Sequence, residues 1–453
     1  MIPEAAVKTA IINGKVVTPE GVREGLELRI SGGKLMLGKP EATEFIIRNG
    51  RLVEEKASGG KVKADKIIDA KGSYILPGFF DTHLHGGALI ESSKGRYEVK
   101  TGKFVYSEKE FEAGYPRMLL AHALHGTTSM ILSISSNPKP VVEMFMKTAG
   151  RLVDKKNLPG AKLLGLDMEG TYIKDQVYGG AQDPQNFIEP DIKYFEKLNK
   201  LSGGSIRKAL VAPEWGEPAV KFIKFLVKNG IKAGVGHSGA TYAEMIKAYE
   251  AGVTYAVHFG NGPMSQNFKA GGVLDAMFEL SDKITIELIA DLNHVHPKWL
   301  SAFLKAFNFN AVGVTDAMFV SASPKKIKEF QYGPFAVEVR NGAAWLKDKK
   351  NTLCGSCVTM DVIFENLLNV IAGNQTGYLT GKLFDKPVSL DSAVSMASRL
   401  VSENPAKLYG FEGRLGSIED GKAADLVIAE IKEKNGKVKV GIKTVVVGGE
   451  IQR

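Results

Sequence analysis

The chain has 453 residues, 44% hydrophobic and 24% charged, the balance of a globular protein long enough for two or three domains or for one large barrel with an appendage. Fifty-nine Lys and Arg against 50 Asp and Glu leave a net charge of +9, but the cations are scattered, and the densest runs, at 346–350 and 433–443, carry no interleaved aromatics, which speaks against a nucleic-acid interface. Two Cys, Cys354 and Cys357 in LCGSC, are too few for a disulfide framework or a four-Cys zinc site and read as small packed residues of a reducing compartment. No run reaches the roughly 18 apolar residues of a membrane span, and the first residues lack the basic stretch and apolar core of a leader, so a cytoplasmic location is expected.

The first 75 residues read as short strands parted by turns. AIINGKVVTPEG is strand, Asn13-Gly14 turn, strand, and FIIRNGRLVEE repeats the pattern around Asn49-Gly50. The last 40 residues return to this style in ADLVIAEI and GKVKVGIKTVVVGGEI. The two ends are therefore expected to fold together as one small β domain, 1–75 with 411–453, flanking a different unit at 76–410.

In that middle unit, apolar runs alternate with amphipathic helical stretches such as PAVKFIKFLVKNG and YAEMIKAYEAG. The runs cover 74–85, 126–134, 161–169, 206–214, 231–237, 253–258, 283–291 and 310–316. Continuous apolar runs are the mark of buried parallel strands, and eight strand–helix repeats fit a (β/α)₈ barrel of the TIM type. A doubly wound open sheet is the competing architecture, but no GxGxxG follows the first strand.

The chemistry sits at the ends of the runs. The first ends in Asp81-Thr82-His83-Leu84-His85, the third in Glu169, the fifth in His237, the sixth in His258 and the eighth in Asp316, and His294 follows the seventh. In a (β/α)₈ barrel all C-terminal strand ends open on one mouth. Five of the eight His and two carboxylates would then face one place. His83 and His85 lie two apart, so both leave the same face of a strand. Imidazole with carboxylate suits a divalent transition metal, which makes hydroxide available near neutral pH. Asp316 is the candidate acid and base. His122 and His125, on a helix end, and His296, on a loop, are not expected to be ligands.

LPGFFDTHLHG resembles the first-strand signature of the amidohydrolase superfamily. LDMEG (166–170), GHSGATY (236–242), VHFGN (257–261), ADLNHV (290–295), VTDAM (314–318), LCGSCVTMD (353–361) and the segment 404–428 resemble the N-acetylglucosamine-6-phosphate deacetylase family, in order and along almost the whole chain. The resemblance implies a metal-dependent hydrolase barrel with a small β-sandwich built from both chain ends. It implies Glu169, His237 and His258 as ligands of one divalent metal, and His83 and His85 with bridging Glu169 as ligands of a second. Zinc comes first, then iron or another transition metal. It further implies Asp316 as acid/base, His294 on the substrate carbonyl, Asn261 and Gly262 on a sugar phosphate, and a homodimer.

The departures gather at the sugar and phosphate contacts. Gln182 stands where the family has a sugar-facing His, and Lys269 where it has a phosphate-clamping Arg; Lys offers a point charge in place of a planar fork. Asp291-Leu292 replaces Asp-Gly before His294. The expected activity is hydrolysis of the acetamide of an N-acetylated amino sugar, foremost N-acetylglucosamine 6-phosphate, giving acetate and the amino sugar phosphate. The alternatives are an amidohydrolase for another N-acyl substrate, such as a non-phosphorylated or epimeric N-acetylhexosamine, and a decayed, non-catalytic barrel. The complete set of ligand-type residues opposes the last.

Overall fold

Each of the eight apolar runs contains one strand of a single parallel sheet: β1 (Phe79–Leu84), β2 (Thr127–Ile134), β3 (Lys162–Met168), β4 (Ile206–Leu210), β5 (Lys232–Val235), β6 (Val253–Ala256), β7 (Thr285–Ile289) and β8 (Ala311–Val314). The computed structural model describes residues 9–38, 44–48, 51–55, 64–156, 158–261, 265–266, 269–373, 383–384, 388–434 and 437–452. The strands pair in chain order, and the ring closes where Leu84 bridges Ala317 and the Asp316 N–H donates to the His83 carbonyl at 2.8 Å. All eight residues of β2 are buried, as a strand covered on both faces requires.

Helices wrap the sheet with one apolar stripe inward. The helix Glu217–Lys228 buries Ala219, Phe222, Ile223 and Leu226, the three-and-four spacing of a single face. The helix Tyr242–Ala251 starts on a capping box, the Thr241 hydroxyl receiving the Glu244 N–H while the Glu244 carboxylate takes the Thr241 N–H. That cap ends the loop that carries His237. No helix among the described residues is long and apolar enough to cross a membrane.

The chain ends supply two further sheets. A six-stranded sheet joins Lys15–Thr18, Gly21–Arg23 and Tyr74–Pro77 to Leu426–Lys434, Lys437–Val447 and Glu450–Ile451. A four-stranded sheet joins Thr9–Ile12, Glu27–Ser31, Lys34–Gly38 and Lys66–Asp69. Ile11, Leu28, Ile30, Ile75, Leu426 and Val446 share one apolar cluster between them, the interior of a β-sandwich.

Two readings of the sequence need correction here. The run 74–85 is two strands. Tyr74–Pro77 pairs with Leu426–Ala429 in the terminal sheet, and β1 starts after Gly78. A Cβ at Gly78 would lie 2.2 Å from the Thr128 hydroxyl, so only glycine permits this crossing between sheets. Asn13-Gly14, with Asn13 at φ 57°, does not close a hairpin. The strands on either side of it enter different sheets, because Lys15–Thr18 pairs with Tyr74–Pro77 and Gly21–Arg23 instead. Glu44–Arg48 and Arg51–Glu55 do pair, whereas the turn at Asn49-Gly50 lies outside the described residues.

Two insertions rise over the barrel mouth. One follows β1, with short strands Gly86–Gly87, Ile90–Glu91, Gly95–Glu98 and Lys103–Val105. The other follows β8, with an antiparallel sheet of Glu329–Tyr332, Phe335–Arg340, Ala343–Leu346 and Leu353–Ser356. Glu91, fully buried, joins them: one oxygen accepts the Phe319 N–H at 3.1 Å and the other the Tyr332 hydroxyl at 3.2 Å.

Burial pushes the Glu91 carboxyl up to about 7, against the opposing pull of His85 and those two donors. Between the ordinary glutamate range and about pH 7 the folded protein keeps a proton that the unfolded chain has released. Stability therefore falls as pH rises through that window. Urea unfolding at pH 5 and pH 8 should show Glu91→Gln gaining on the parent by up to about 3 kcal/mol at the higher pH. A difference that does not change with pH contradicts this.

Candidate active site

The strand ends deliver their side chains as the barrel geometry dictates. His83 is near the end of β1 and His85 just beyond it; Glu169 directly follows β3; His237, His258 and Asp316 each lie two residues past β5, β6 and β8. His237, His258 and Asp316 all have left-handed backbones, with φ of 48°, 29° and 49°. Three such non-glycine residues at one mouth are a concentration of strain, of the order of 1–3 kcal/mol each, that the rigid sheet must hold.

The result is a cluster centred on the Glu169 carboxylate. Its Oε1 lies 3.2 Å from His237 Nε2 and 3.0 Å from His258 Nε2, and the two imidazole nitrogens are 3.1 Å apart. Its Oε2 lies 3.3 Å from His85 Nε2 and accepts the Gln182 amide N–H at 2.8 Å. His83 Nε2 stands 3.7 Å from Glu169 Oε1 and 3.6 Å from Asp316 Oδ1. His85 Nε2 is 3.2 Å from the same Asp316 oxygen. All of these side chains are buried.

Carbonyl oxygens fix two of the rings. The Tyr178 carbonyl accepts from His237 Nδ1 at 2.9 Å, and the Asn261 carbonyl from His258 Nδ1 at 3.3 Å. Carbonyls can only accept, so the protons are on Nδ1 and the Nε2 lone pairs face each other and Glu169. On the opposite side, His294 Nδ1 lies 2.8 Å from Asp291 Oδ2, and the other Asp291 oxygen takes the His294 and Asn293 N–H groups. This leaves His294 Nε2 without a partner among the described residues, 4.0 Å from Asp316.

The electrostatics follow from burying carboxylates among imidazoles. Burial alone would raise the Glu169 carboxyl, but His237, His258 and His85 hold it well below its usual range. Burial likewise opposes charge on His85, yet Asp316 and Glu169 raise it well above an ordinary histidine. His258 is raised in the same way, by Glu169. Asp316 is lowered, burial being outweighed by His85. Positive charge is what this cluster wants.

A divalent cation fits that demand. His83, His85 and Glu169 form one group of ligand atoms within 4.8 Å of one another, and Glu169, His237 and His258 form a second. Three ligand atoms each about 2.1 Å from a tetrahedral zinc are about 3.4 Å apart, close to the three distances around Glu169 Oε1. Both ring nitrogens of His83 and Nδ1 of His85 are buried without a hydrogen-bond partner among the described residues, as expected of groups arranged for something other than each other.

The cluster forms the floor of a cavity of about 540 Å³. Asn261 and Gln182 line it; so do Lys94 and Tyr332 from the two insertions, with the Lys94 ammonium 4.6 Å from the Tyr332 ring centroid. The Gln182 side chain is held between Glu169 and the Ser136 N–H. Gly262 lies outside the described residues. Lys269 is exposed and is not among the described residues that line the cavity. Cys354 lines the wall, and both thiols are free.

The three remaining histidines have other partners. His122 Nε2 bonds the Gly86 carbonyl at 2.9 Å, and burial depresses the ring to about 4. His125 pairs with Asp361 at 2.9 Å, and His296 caps the helix Pro297–Ala306. What the sequence reading missed lies beneath the cluster. Asp167, Lys208 and Glu287 are buried inside the barrel on β3, β4 and β7. Their only signal is a charged residue at an inward position of an otherwise apolar strand.

Known proteins are similar to the chain in sequence and in fold. A sequence profile of the Amidohydrolase family matches residues 357–451. The chain is 26% identical over 414 residues to the N-acetylgalactosamine-6-phosphate deacetylase of Escherichia coli O157:H7, covering 91% of this chain and 93% of that one. It is 28% identical over 390 residues to the N-acetylglucosamine-6-phosphate deacetylase of Bacillus subtilis (strain 168), covering 84% and 87%. Its fold matches the crystal structure of N-acetyl-D-glucosamine-6-phosphate deacetylase from Mycobacterium smegmatis with a TM-score of 0.76 at 23% identity, over 98% of this chain and 99% of that one. The eight-stranded barrel and its His and Glu cluster thus occur in a chain that is similar, along most of its length, to metal-dependent amidohydrolases.

Proposed function

We propose that the enzyme hydrolyses the acetamide of N-acetylglucosamine 6-phosphate, giving acetate and glucosamine 6-phosphate. The observation that carries the reading is the Glu169 cluster with Asp316 and His294 beside it, in a chain whose relatives along most of its length are named as deacetylases of N-acetylated hexosamine phosphates. Glu169, His237 and His258 would hold one divalent ion, zinc first by donor type, and His83, His85 and Glu169 a second. When bound, such an ion acidifies water and polarises an amide carbonyl.

The chain's own residues supply the rest. Asp316, ionised because His85 holds its carboxyl low, accepts a proton from the attacking water. Addition of the water oxygen to the carbonyl carbon breaks the C=O π bond and puts negative charge on the carbonyl oxygen. His294, gripped at Nδ1 by Asp291, aims Nε2 toward the space beside Asp316 and, when Nε2 also carries a proton, donates to that oxygen. The C–N bond then breaks, and Asp316 returns its proton to the departing nitrogen. Asn261 and Gly262 hold the phosphate, and Gln182 faces the sugar while orienting Glu169. The enzyme is a homodimer in which Lys269 reaches the phosphate of the neighbouring subunit's substrate. Two free thiols support a reducing, cytoplasmic location.

Acetate release from a panel of N-acetylhexosamines and their 6-phosphates, with metal content measured on the same preparation, tests the reading. The phosphorylated glucosamine derivative should be preferred more than tenfold, about 1.4 kcal/mol. Metal-loaded enzyme that frees no acetate from any of them refutes it. Asp316→Asn should keep its metal and fold while turnover falls about 10²–10⁴-fold; near-parental turnover removes Asp316 from the acid/base role. Lys269→Ala should raise KM for the phosphorylated sugar at least tenfold, about 1.4 kcal/mol, and leave the free sugar little changed. Equal effects on both sugars mean that Lys269 does not read the phosphate.

A further inference from the structure

Beneath the Glu169 cluster, the barrel interior departs from the layers of apolar side chains usual in this architecture. Lys208, wholly buried on β4, places its ammonium 2.8 Å from Glu287 Oε1 on β7 and 3.4 Å from Asp167 Oδ2 on β3. The rings of Tyr255 and Tyr409 flank it, their centroids at 5.0 and 5.8 Å. Two carboxylates thus share one lysine, and one negative charge is left over. A buried carboxylate charge must find a partner or take up a proton.

The partner is visible in the way Glu287 divides its two oxygens. Oε1 accepts three donors: the Lys208 ammonium, the Thr82 hydroxyl at 3.0 Å and the Tyr409 hydroxyl at 3.2 Å. Oε2 is buried with no hydrogen bond among the described residues, and it faces His83 Nδ1 at 3.4 Å, itself without one. His237 and His258 have their tautomers set by backbone carbonyls, but no carbonyl among the described residues bonds His83. An ionised carboxylate oxygen can only accept.

We propose that Glu287, steadied by Lys208, is a positioning residue that keeps the His83 proton on Nδ1 and thereby presents Nε2 as a ligand for a second metal ion. The proposal rests on the metal-binding reading of the cluster and deepens it. The second ion position is held from below by an ionic pair that joins β4 to β7 and faces His83 on β1. The first, built on His237 and His258, has its ring tautomers set by backbone carbonyls instead of by that pair. Carboxylates behind metal-binding histidines typically contribute about 10–100-fold to metal affinity.

Glu287→Gln discriminates sharply. Lys208 keeps Asp167 as its counter-charge, so no unpaired ammonium is buried. The three donors on Oε1 select the amide oxygen for that position, which turns the amide N–H₂ toward His83 Nδ1. With this amide nearer to Nδ1 than Asp167 Oδ2, which stands at 3.7 Å, Nδ1 accepts, the proton moves to Nε2, and that nitrogen can no longer bind metal.

Zinc titration of metal-free enzyme, followed by calorimetry and by metal content after gel filtration, should give two equivalents for the parent. In Glu287→Gln the first equivalent should bind with unchanged affinity and the second at least tenfold more weakly. The His83 tautomer, read from imidazole ¹⁵N shifts in protein carrying only the first equivalent and assigned by loss of the signal in His83→Asn, should invert. If Glu287→Gln does not fold, Glu287→Asp, which withdraws the carboxylate from His83, should weaken the second equivalent in the same direction. An unchanged second affinity, or equal weakening of both, overturns the proposal. So does a parent enzyme that binds only one equivalent, although the deacetylase reading survives that result. A parent that binds no metal at all and frees no acetate defeats the reading itself.

Discussion

Everything at the barrel mouth is organised by one carboxylate. Glu169 sits within 3.0 to 3.7 Å of four imidazoles, from β1, β5 and β6, and so joins both halves of the cluster. Four histidines packed around a buried carboxylate would repel one another as soon as more than one carried a proton. Such a group is tolerable only if a cation takes the place of the protons, and binding one must then displace them. The strained backbones of His237, His258 and Asp316 belong to the same constraint. Strands that ran on straight would carry these residues out of the mouth; the left-handed turns bring their side chains inward.

The rest of the fold serves to hold those turns still. The ring is closed at the site itself, where the Asp316 N–H bonds the His83 carbonyl, so the acid/base candidate and a candidate ligand are fastened to each other through the main chain. Just below, buried Asp81 on β1 takes the hydroxyl and N–H of Thr315 from the other side of the closure. Glu91 clamps the two insertions that wall the cavity. These polar contacts bind elements far apart in sequence, and each is buried, so a loose fit would leave an unsatisfied group in a medium of low dielectric. Precision at the mouth and polarity in the interior are two aspects of one requirement.

Much of this was legible in the amino-acid order. Strand–helix alternation gave eight barrel strands because buried parallel strands read as unbroken apolar runs, and a histidine or carboxylate ending such a run is conspicuous. What escaped has physical reasons. Gly78 passes the chain between two sheets without interrupting the apolar run around it, so Tyr74–His85 looked like one strand. Asn13-Gly14 has the composition of a hairpin turn, but which strand pairs with which is settled by long-range contacts, here with Tyr74–Pro77. Asp167, Lys208 and Glu287 lie within strands, where a charged residue ordinarily marks a solvent-facing position. That they face inward depends on one another, and no local pattern records it.

The most direct test of the account is anomalous diffraction at the zinc edge from crystals of the zinc-loaded enzyme. The account predicts an anomalous peak within coordination distance of Glu169, His237 and His258, and a second bounded by Glu169, His83 and His85. Zinc bound elsewhere, or no peak beside Glu169 in a preparation that still releases acetate, would contradict it.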